Sequence, residues 1–309
     1  MINKFNSFLL ILLIFDFLGT KASAQIVDSI SVGKTEVILL GTGTPYPNPD
    51  RSGPATAVIY NGRFFLFDAG AGVMRQINKA GLPVSGPEAA FITHLHSDHT
   101  LGYPDLILTS WIMRRNKHLQ VYGPHGLQRM TDYILKAYSE DIEIRTDGLE
   151  KEVPDWYKVD VHEINPGVVY DSGGVKITAF LVLHGSWKEA YGYRIDTPDR
   201  SIVISGDTRL CQALIDASKG VDILIHEVHP SSIVKPEKRP GGEYWTEYQK
   251  QFHTSDIELG EIAELSEPKL LILYHISRVN NKIEDELLGN IRKSGFKGKI
   301  VVGKDMDIY

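Results

Sequence analysis

The chain has 309 residues and a formal net charge of −6, so it carries no global basic field and charge alone does not favour a nucleic-acid partner. Its 42% hydrophobic and 23% charged residues are those of an ordinary folded protein, not a disordered or fibrous one. The single Cys, Cys211, excludes an internal disulfide and a multi-Cys zinc site, whereas 11 His is a large number for this length.

At the N-terminus, Lys4 precedes the apolar run Phe8 to Phe15, and the small residues Ala22-Ser23-Ala24 follow. A basic start, a short apolar stretch and an A-x-A end are the marks of a cleaved secretory signal. Asp16 interrupts the run, which falls short of the roughly 20 apolar residues a membrane span needs. Residues 1–24 are therefore read as a signal, and the mature protein as periplasmic or secreted without stable membrane insertion. Residues 25–309 contain no linker, low-complexity tract or charge block, and are expected to form one domain. A chain of this length can rely on its core, so one Cys does not oppose export.

The elements then alternate. Val37-Ile38-Leu39-Leu40 reads as a buried strand ending in Gly41-Thr42-Gly43-Thr44. Ala57 to Tyr60 and Phe64 to Phe67 flank Asn61-Gly62, a strong hairpin signal. Val73 to Lys79 is helical in character and stops at Gly81 and Pro83. Strand Ala89 to Ile92, helix Leu106 to Met113, strand Leu119 to Tyr122 and a helix from about Leu127 to Tyr138 follow. The second half has strands Val175 to Leu183, Tyr191 to Ile195 and Ser201 to Ile204, then a helix from about Arg209 to Ala217 and strand Asp222 to Ile225. Ser255 with Glu258 makes a capping box at a helix start. Strand Lys269 to Tyr274 and a helix around Glu284 to Arg292 close the series. Two runs of strands with attached helices predict an α/β protein with helices outside a sheet-rich centre. Two face-to-face sheets and a single mixed sheet both satisfy that pattern.

The histidines cluster. Thr93-His94-Leu95-His96-Ser97-Asp98-His99 follows the strand at Ala89 to Ile92. His94 and His96 are two apart and project to one side of an extended chain. Imidazole and carboxylate suit zinc or a similar divalent ion. Four such groups in six residues exceed what one tetrahedral ion takes from a short loop, so two ions fit better. Further ligand-type residues end other strands: His184, Asp207, His226 with Glu227, and His275. Each alone reads as an ordinary structural residue; their repetition at strand ends indicates a site.

These residues resemble a known family. His94-x-His96-x-Asp98-His99 is the motif of the metallo-β-lactamase superfamily, and the similarity runs from about Val37 to the C-terminus. Leu40-Gly41-Thr42-Gly43-Thr44, Phe67-Asp68-Ala69-Gly70, Gly192-Tyr193-Arg194, Ser205-Gly206-Asp207-Thr208, Phe252-His253-Thr254-Ser255 and Leu273-Tyr274-His275-Ile276-Ser277 resemble the branch of ribonuclease Z and the zinc-dependent arylsulfatases. Thr44 to Ala55, Tyr103-Pro104-Asp105-Leu106, Ser110-Trp111 and Asp141 to Arg145 resemble the arylsulfatase-like group more closely. The resemblance implies a four-layer αβ/βα sandwich with two mixed sheets and two zinc or other divalent transition ions per chain. His94, His96 and His184 would hold one ion; Asp98, His99 and His275 the other; Asp207 would bridge them. True metallo-β-lactamases often carry a Cys ligand where this branch has Asp. Cys211, on an expected helix, reads as a small core residue instead.

The implied chemistry is attack by a metal-bridging hydroxide on an ester. His253, oriented by Glu227, would protonate the leaving oxygen, with Asp98 also counted among the catalytic residues. Asp68 is read as a residue that orients a ligand His, and equally as a turn residue. His226 is read as structural, and His118, His125, His162 and His229 as surface or loop residues. Arg278 could meet a substrate anion. The leading expectation is an exported two-zinc hydrolase of a small-molecule aryl sulfate or related phosphodiester. Ribonuclease Z-like tRNA 3′ endonuclease activity and lactonase activity are the alternatives, and a non-catalytic binding protein is the other class. Ribonuclease Z carries a long arm that clamps tRNA. Only Ile195 to Gly206 separate Arg194 from Asp207, which leaves no room for that arm and, with the negative charge, argues against tRNA as a partner. Relatives are commonly dimers, so a homodimer is compatible. The loops Thr44 to Pro54 and Pro230 to Glu243 are expected to set specificity.

Overall fold

The computed structural model describes residues 33–277 and 279–309. The expected secretory signal and Arg278 lie outside the described residues. Six strands form the first sheet: β1 (Thr35–Gly41), β2 (Ala55–Tyr60), β3 (Arg63–Phe67), β4 (Ala89–Phe91), β5 (Leu119–Gly123) and β6 (Val159–Glu163), in spatial order 1-2-3-4-5-6. β1 to β3 are antiparallel and β3 to β6 parallel. The second sheet has the order 13-12-11-10-9-8-7. Its strands are β7 (Gly167–Ser172), β8 (Val175–Leu181), β9 (Tyr191–Asp196), β10 (Ser201–Ile204), β11 (Ile223–Glu227), β12 (Leu270–Tyr274) and β13 (Lys299–Val302). β7 to β10 are antiparallel and β10 to β13 parallel.

The alternation of side chains along the strands produces three apolar layers. Val37, Leu39, Phe65, Phe67 and Phe91 of the first sheet meet Ile177, Tyr193, Ile204, Ile225 and Tyr274 of the second in a central layer. The outer face of the first sheet packs on helices α1 (Val73–Lys79), α3 (Tyr103–Ile112), α4 (Leu127–Ala137) and α5 (Ser139–Asp147) through Leu66, Ile77, Leu106, Leu127 and Ile142. The outer face of the second packs on α6 (Gln212–Ser218), α8 (Asp256–Ser266) and α9 (Asn281–Lys293) through Leu214, Ile262 and Leu287. The result is the four-layer arrangement, two mixed sheets flanked by helices; the single-sheet alternative is set aside.

Local signals in the sequence have the physical outcomes expected of them. Asn61 and Gly62 have φ of 51° and 73°, the left-handed pair a two-residue hairpin needs, and Tyr60 pairs with Arg63 across it. Ser255 accepts from the Glu258 amide while the Glu258 carboxylate accepts from the Ser255 amide, completing the capping box. Cys211 is buried but stands at the N-cap of α6, in extended backbone with φ −149°, not inside the helix. Strands β6, β7 and β13 and helices α5 and α7 (Trp245–Phe252) have no counterpart among the elements expected from the sequence. They are edge or surface elements with mostly exposed or half-buried side chains, so their hydrophobic pattern is weak.

The C-terminal tail ties the two halves together. Asp305 accepts from the Thr42 amide (2.9 Å) and hydroxyl (2.7 Å), the Ser52 amide (2.6 Å) and the Gln76 side-chain amide (2.8 Å). Asp305→Ala strands several of these donors, and urea unfolding is expected to show a loss of roughly 1–3 kcal/mol. A midpoint within error of wild type would contradict this.

Candidate metal centre

The C-terminal ends of β3, β4, β8, β10, β11 and β12 point to one edge, where a side chain leaving a strand is held by paired backbone behind it. The two sheets are joined there: the Tyr191 amide donates to the Thr93 carbonyl at 2.9 Å, and the Tyr193 hydroxyl to the Ile92 carbonyl at 2.8 Å. His94 and His96 follow β4. Asp98 and His99 lie in the short helix α2 (Ser97–Thr100). His184 follows β8, Asp207 follows β10, Glu227 ends β11, and His275 follows β12 in left-handed backbone, φ 55°. Gly206 turns the chain into Asp207 with φ 61°. A Cβ there would stand 2.7 Å from the Tyr191 carbonyl oxygen, so only glycine fits without displacing the sheet junction.

All seven expected ligands converge. His94, His96, His184 and Asp207 form one group, and Asp98, His99 and His275 a second, the ligand-type atoms of each lying within 4.8 Å of one another. The carboxylate of Asp207 reaches both groups: it lies 3.9 Å from His94 Nε2, 3.4 Å from His99 Nε2 and 3.4 Å from His275 Nε2. Asp207, His253 and His275 form a third, overlapping group.

The residues around the cluster fix which ring nitrogen faces inward. Asp68 Oδ2 holds His99 Nδ1 at 2.8 Å, leaving Nε2 free. The Phe252 carbonyl holds His184 Nδ1 at 2.7 Å, which turns Nε2 toward the cluster. Thr93 Oγ1 bridges Asp68 and His94 Nδ1, each at 3.0 Å. His96 is turned the other way, with Nδ1 inside, 2.9 Å from His94 Nε2 and 3.1 Å from His184 Nε2. Its Nε2 accepts from the Trp187 indole N–H at 2.8 Å.

Electrostatics favours a cation here. Asp68, Asp98, Asp207 and Glu227 are buried, and among the described residues none pairs with a Lys or Arg. Two buried polar atoms facing each other, His99 Nε2 and Asp207 Oδ1, lack hydrogen-bond partners. Burial holds His94 well below its ordinary value and His184 down at about 4, so these rings are neutral and their lone pairs available. Burial also opposes charge on His99, but Asp207 and Asp68 outweigh it and raise the ring well above its ordinary value. Burial would raise Asp207, yet His275, His99 and His94 hold it well below the usual carboxylate range. Nitrogen and oxygen donors with orphaned inward atoms and uncompensated carboxylates fit divalent transition ions.

His253, at the C-terminal end of α7 (Trp245–Phe252), places Nδ1 3.0 Å and 3.1 Å from the two Glu227 oxygens. Glu227 also accepts from the Thr208 amide at 2.9 Å, which locks the carboxylate. Burial would lower His253, but Glu227 and then Asp207 overcome it and push the ring up to about 9.

Asp68 is both things the sequence allowed, the His99 partner and a turn residue with φ 59°. His226 is fully buried, its Nδ1 on the Glu227 carbonyl. His118 and His125 are held by Asp155, Asp160 and Glu189 away from the cluster, and His162 stacks on Tyr122. Three neighbours escaped the sequence reading: Thr93, Trp187 and Tyr248. The Tyr248 ring lies 5.7 Å from that of His253, and burial with Asp207, Glu227 and Asp98 pushes its hydroxyl up to about 12, so it stays a donor. Only Thr93 had a signal, its place beside the motif; the other two come from a turn and a helix without one.

Residues 63–276 match the model of a beta-lactamase superfamily domain. The chain belongs to this superfamily. It is 31% identical over 276 residues to a ribonuclease Z of Mycobacterium bovis (strain BCG), covering 88% of this chain and 96% of the relative. Among solved structures, the metallo-beta-lactamase fold protein YhfI from Bacillus subtilis superimposes with a TM-score of 0.68 at 17% identity, over 89% of this chain and 99% of that one. The short form of human tRNase Z superimposes with a TM-score of 0.64 at 22% identity, over 89% and 98%. The ribonuclease Z relative gives no support to setting tRNA aside, and it favours the ribonuclease Z alternative over the aryl sulfate expectation.

Zinc added back to chelator-treated superfamily member should reach about two ions per chain, and Asp207→Ala should lose at least one. A cation on His96 Nδ1 leaves the proton on Nε2, which then cannot accept from Trp187. Zinc titration should therefore change the tryptophan fluorescence of wild type, and Trp187→Phe should abolish most of that change. Full loading with no Trp187-dependent signal would count against binding through His96 Nδ1.

Proposed function

We propose that this protein is a metal-dependent phosphodiesterase of the ribonuclease Z type, acting on RNA phosphodiesters. One observation carries the reading: a seven-residue His/Asp cluster, buried except for the half-buried His96, with the His253–Glu227 pair at its side. The similarity to ribonuclease Z over nearly the full length of that relative supports it. His94, His96 and His184 would hold one divalent ion, Asp98, His99 and His275 a second, with Asp207 shared. Bound there, such ions supply Lewis acidity and lower the pKa of water. Zinc is the proposed metal, two per chain.

The chain's own residues do the rest. His253, charged through its pairing with Glu227, presents a proton to the leaving oxygen. Glu227 keeps the ring oriented and favours its charged form. Tyr248 offers a hydroxyl donor on the same side. The buried walls around Asp207 limit water and strengthen each of these interactions.

Aryl sulfate ester hydrolysis is the second reading. The loop that resembles the arylsulfatase-like group borders the site, Asn48 donating to the Ser277 carbonyl at 3.3 Å two residues after His275. Lactone hydrolysis would use the same groups. In the same proposal the chain is exported by residues 1–24.

A panel of bis(p-nitrophenyl) phosphate, p-nitrophenyl sulfate, a lactone and precursor tRNA, with and without chelator, tests the ranking. Chelator-sensitive cleavage of the phosphodiester and of precursor tRNA is expected. Sulfate turnover exceeding both would reverse the order. His253→Ala should lower kcat by about 10²–10⁴-fold while leaving bound metal in place. The sign of the pH effect follows from the raised value of His253: its pairing stabilises the fold fully below the ordinary 6.5 and is lost as pH rises through about 9. Activity should fall along the same limb, and Glu227→Gln should move that limb to lower pH. A limb unmoved by this change would remove His253 from proton transfer.

A further inference from the structure

A groove adjoins the metal-ligand cluster, and neither the metal chemistry nor the His253 pair uses it. Its volume is about 610 Å³, and Leu95, Met130, Tyr133, Ile134, Tyr138 and Trp187 line most of it. Helix α4 supplies one wall. Its Leu127 and Thr131 face the core, Thr131 bonding the buried Tyr103 hydroxyl, while Met130, Tyr133 and Ile134 are left facing the groove. Tyr133 is 66% exposed, a large ring presented to water.

The groove is continuous with the cluster at two points. Leu95 stands between His94 and His96 in the chain and lines the groove. Trp187 forms the inner wall, its ring 5.0 Å from that of His96 and 6.0 Å from that of His94. An ester whose reacting group lies among the His ligands therefore places its neighbouring substituent against the Trp187 indole. With a cation on His96, the indole N–H also loses its acceptor and is available to that substituent.

The lining states what the substituent is. Two tyrosines, a tryptophan and the apolar side chains of Leu95, Met130 and Ile134 offer apolar and aromatic surface on which a flat ring can stack. Charge adds direction. Arg129 borders the groove and has no carboxylate partner among the described residues. The nearby acids are engaged: Glu189 with His125, Glu163 with the Gly126 and Gln128 amides, Asp132 with Gln128. Arg129 is thus the cation open to an anion beside the ring.

The geometry points to a subsite for the nucleobase adjacent to the scissile phosphate, stacked between Trp187 and Tyr133 with Arg129 at the neighbouring phosphate. This rests on the phosphodiesterase reading. Trp187 and Tyr133 act as positioning residues for the substrate, through stacking that every base can supply.

Two p-nitrophenyl diesters decide it, one built on thymidine 5′-phosphate and one on methyl phosphate, assayed with the zinc-loaded full chain. Tyr133→Ala and Trp187→Leu should each cut the preference in kcat/KM for the thymidine ester by roughly 10- to 100-fold, mainly through KM. Arg129→Ala should lower it when a second phosphate is added to the nucleoside. A structural role would depress both esters equally; an unchanged preference in Tyr133→Ala overturns the subsite. If wild type cleaves neither ester, the phosphodiesterase reading fails. Thymidine 5′-monophosphate then tests the groove alone: it should quench the fluorescence that separates wild type from Trp187→Phe. No quenching, or a change of oligomeric state in Tyr133→Ala that marks the groove as a contact between copies, overturns the subsite as well.

Discussion

Among the described residues, four carboxylates are buried at one edge of this protein with no lysine or arginine against them, and the arrangement around them follows from that constraint. A buried anion is costly unless a positive charge meets it. Here the nearest groups are imidazoles: burial holds His94 and His184 below their ordinary value, while the neighbouring carboxylates raise His99 and His253. The cluster is thus built to receive cations, and its tight hydrogen bonds serve to orient lone pairs inward. Asp68 shows how: one carboxylate holds His99 Nδ1 and, through Thr93, His94 Nδ1, while sitting at the end of β3.

Rigidity comes from the sheets. The inward groups leave strands whose central residues are fully buried, so the backbone beneath them cannot shift without opening the layer of Phe67, Phe91 and Tyr193. The same edge is where the two sheets are stitched by Tyr191, Tyr193 and Ile276. Stability and function are therefore coupled in space. Gly206 illustrates the coupling, since its backbone conformation serves both the sheet junction and the approach of Asp207.

The periphery distributes the remaining tasks. Glu227 and His253 lie on β11 and the end of α7, brought together by the packing of the α7–α8 junction on the loops after β10 and β11: Thr254 Oγ1 donates to the Thr208 carbonyl, and the His229 amide to the Thr254 carbonyl at 3.0 Å. On the other side, α4 and the turn carrying Trp187 make an apolar wall that touches His96. The pocket over the cluster is thus polar on one flank and aromatic on the other, an asymmetry that suits an ester with one charged and one flat end.

Much of this was legible in the chain. The run His94-x-His96-x-Asp98-His99 and the single ligand-type residues closing apolar strands marked the whole cluster, because strand periodicity and strand ends are local properties. The hairpin at Asn61-Gly62 and the capping box at Ser255 were legible for the same reason. The weak elements α5, α7, β6, β7 and β13 were not, since half-exposed segments carry little hydrophobic pattern. Nor were Trp187 and Tyr248, which no motif marks and which reach the site only because α7 and the turn after His184 fold over it. The sequence by itself determined the set of nitrogen and oxygen donors and its superfamily, because both are carried by local runs of residues. Only the tertiary structure decided which nitrogen of each ring faces inward, that Asp207 reaches both groups, and that an aromatic groove adjoins them. Those depend on contacts between segments far apart in the chain, which no local pattern encodes.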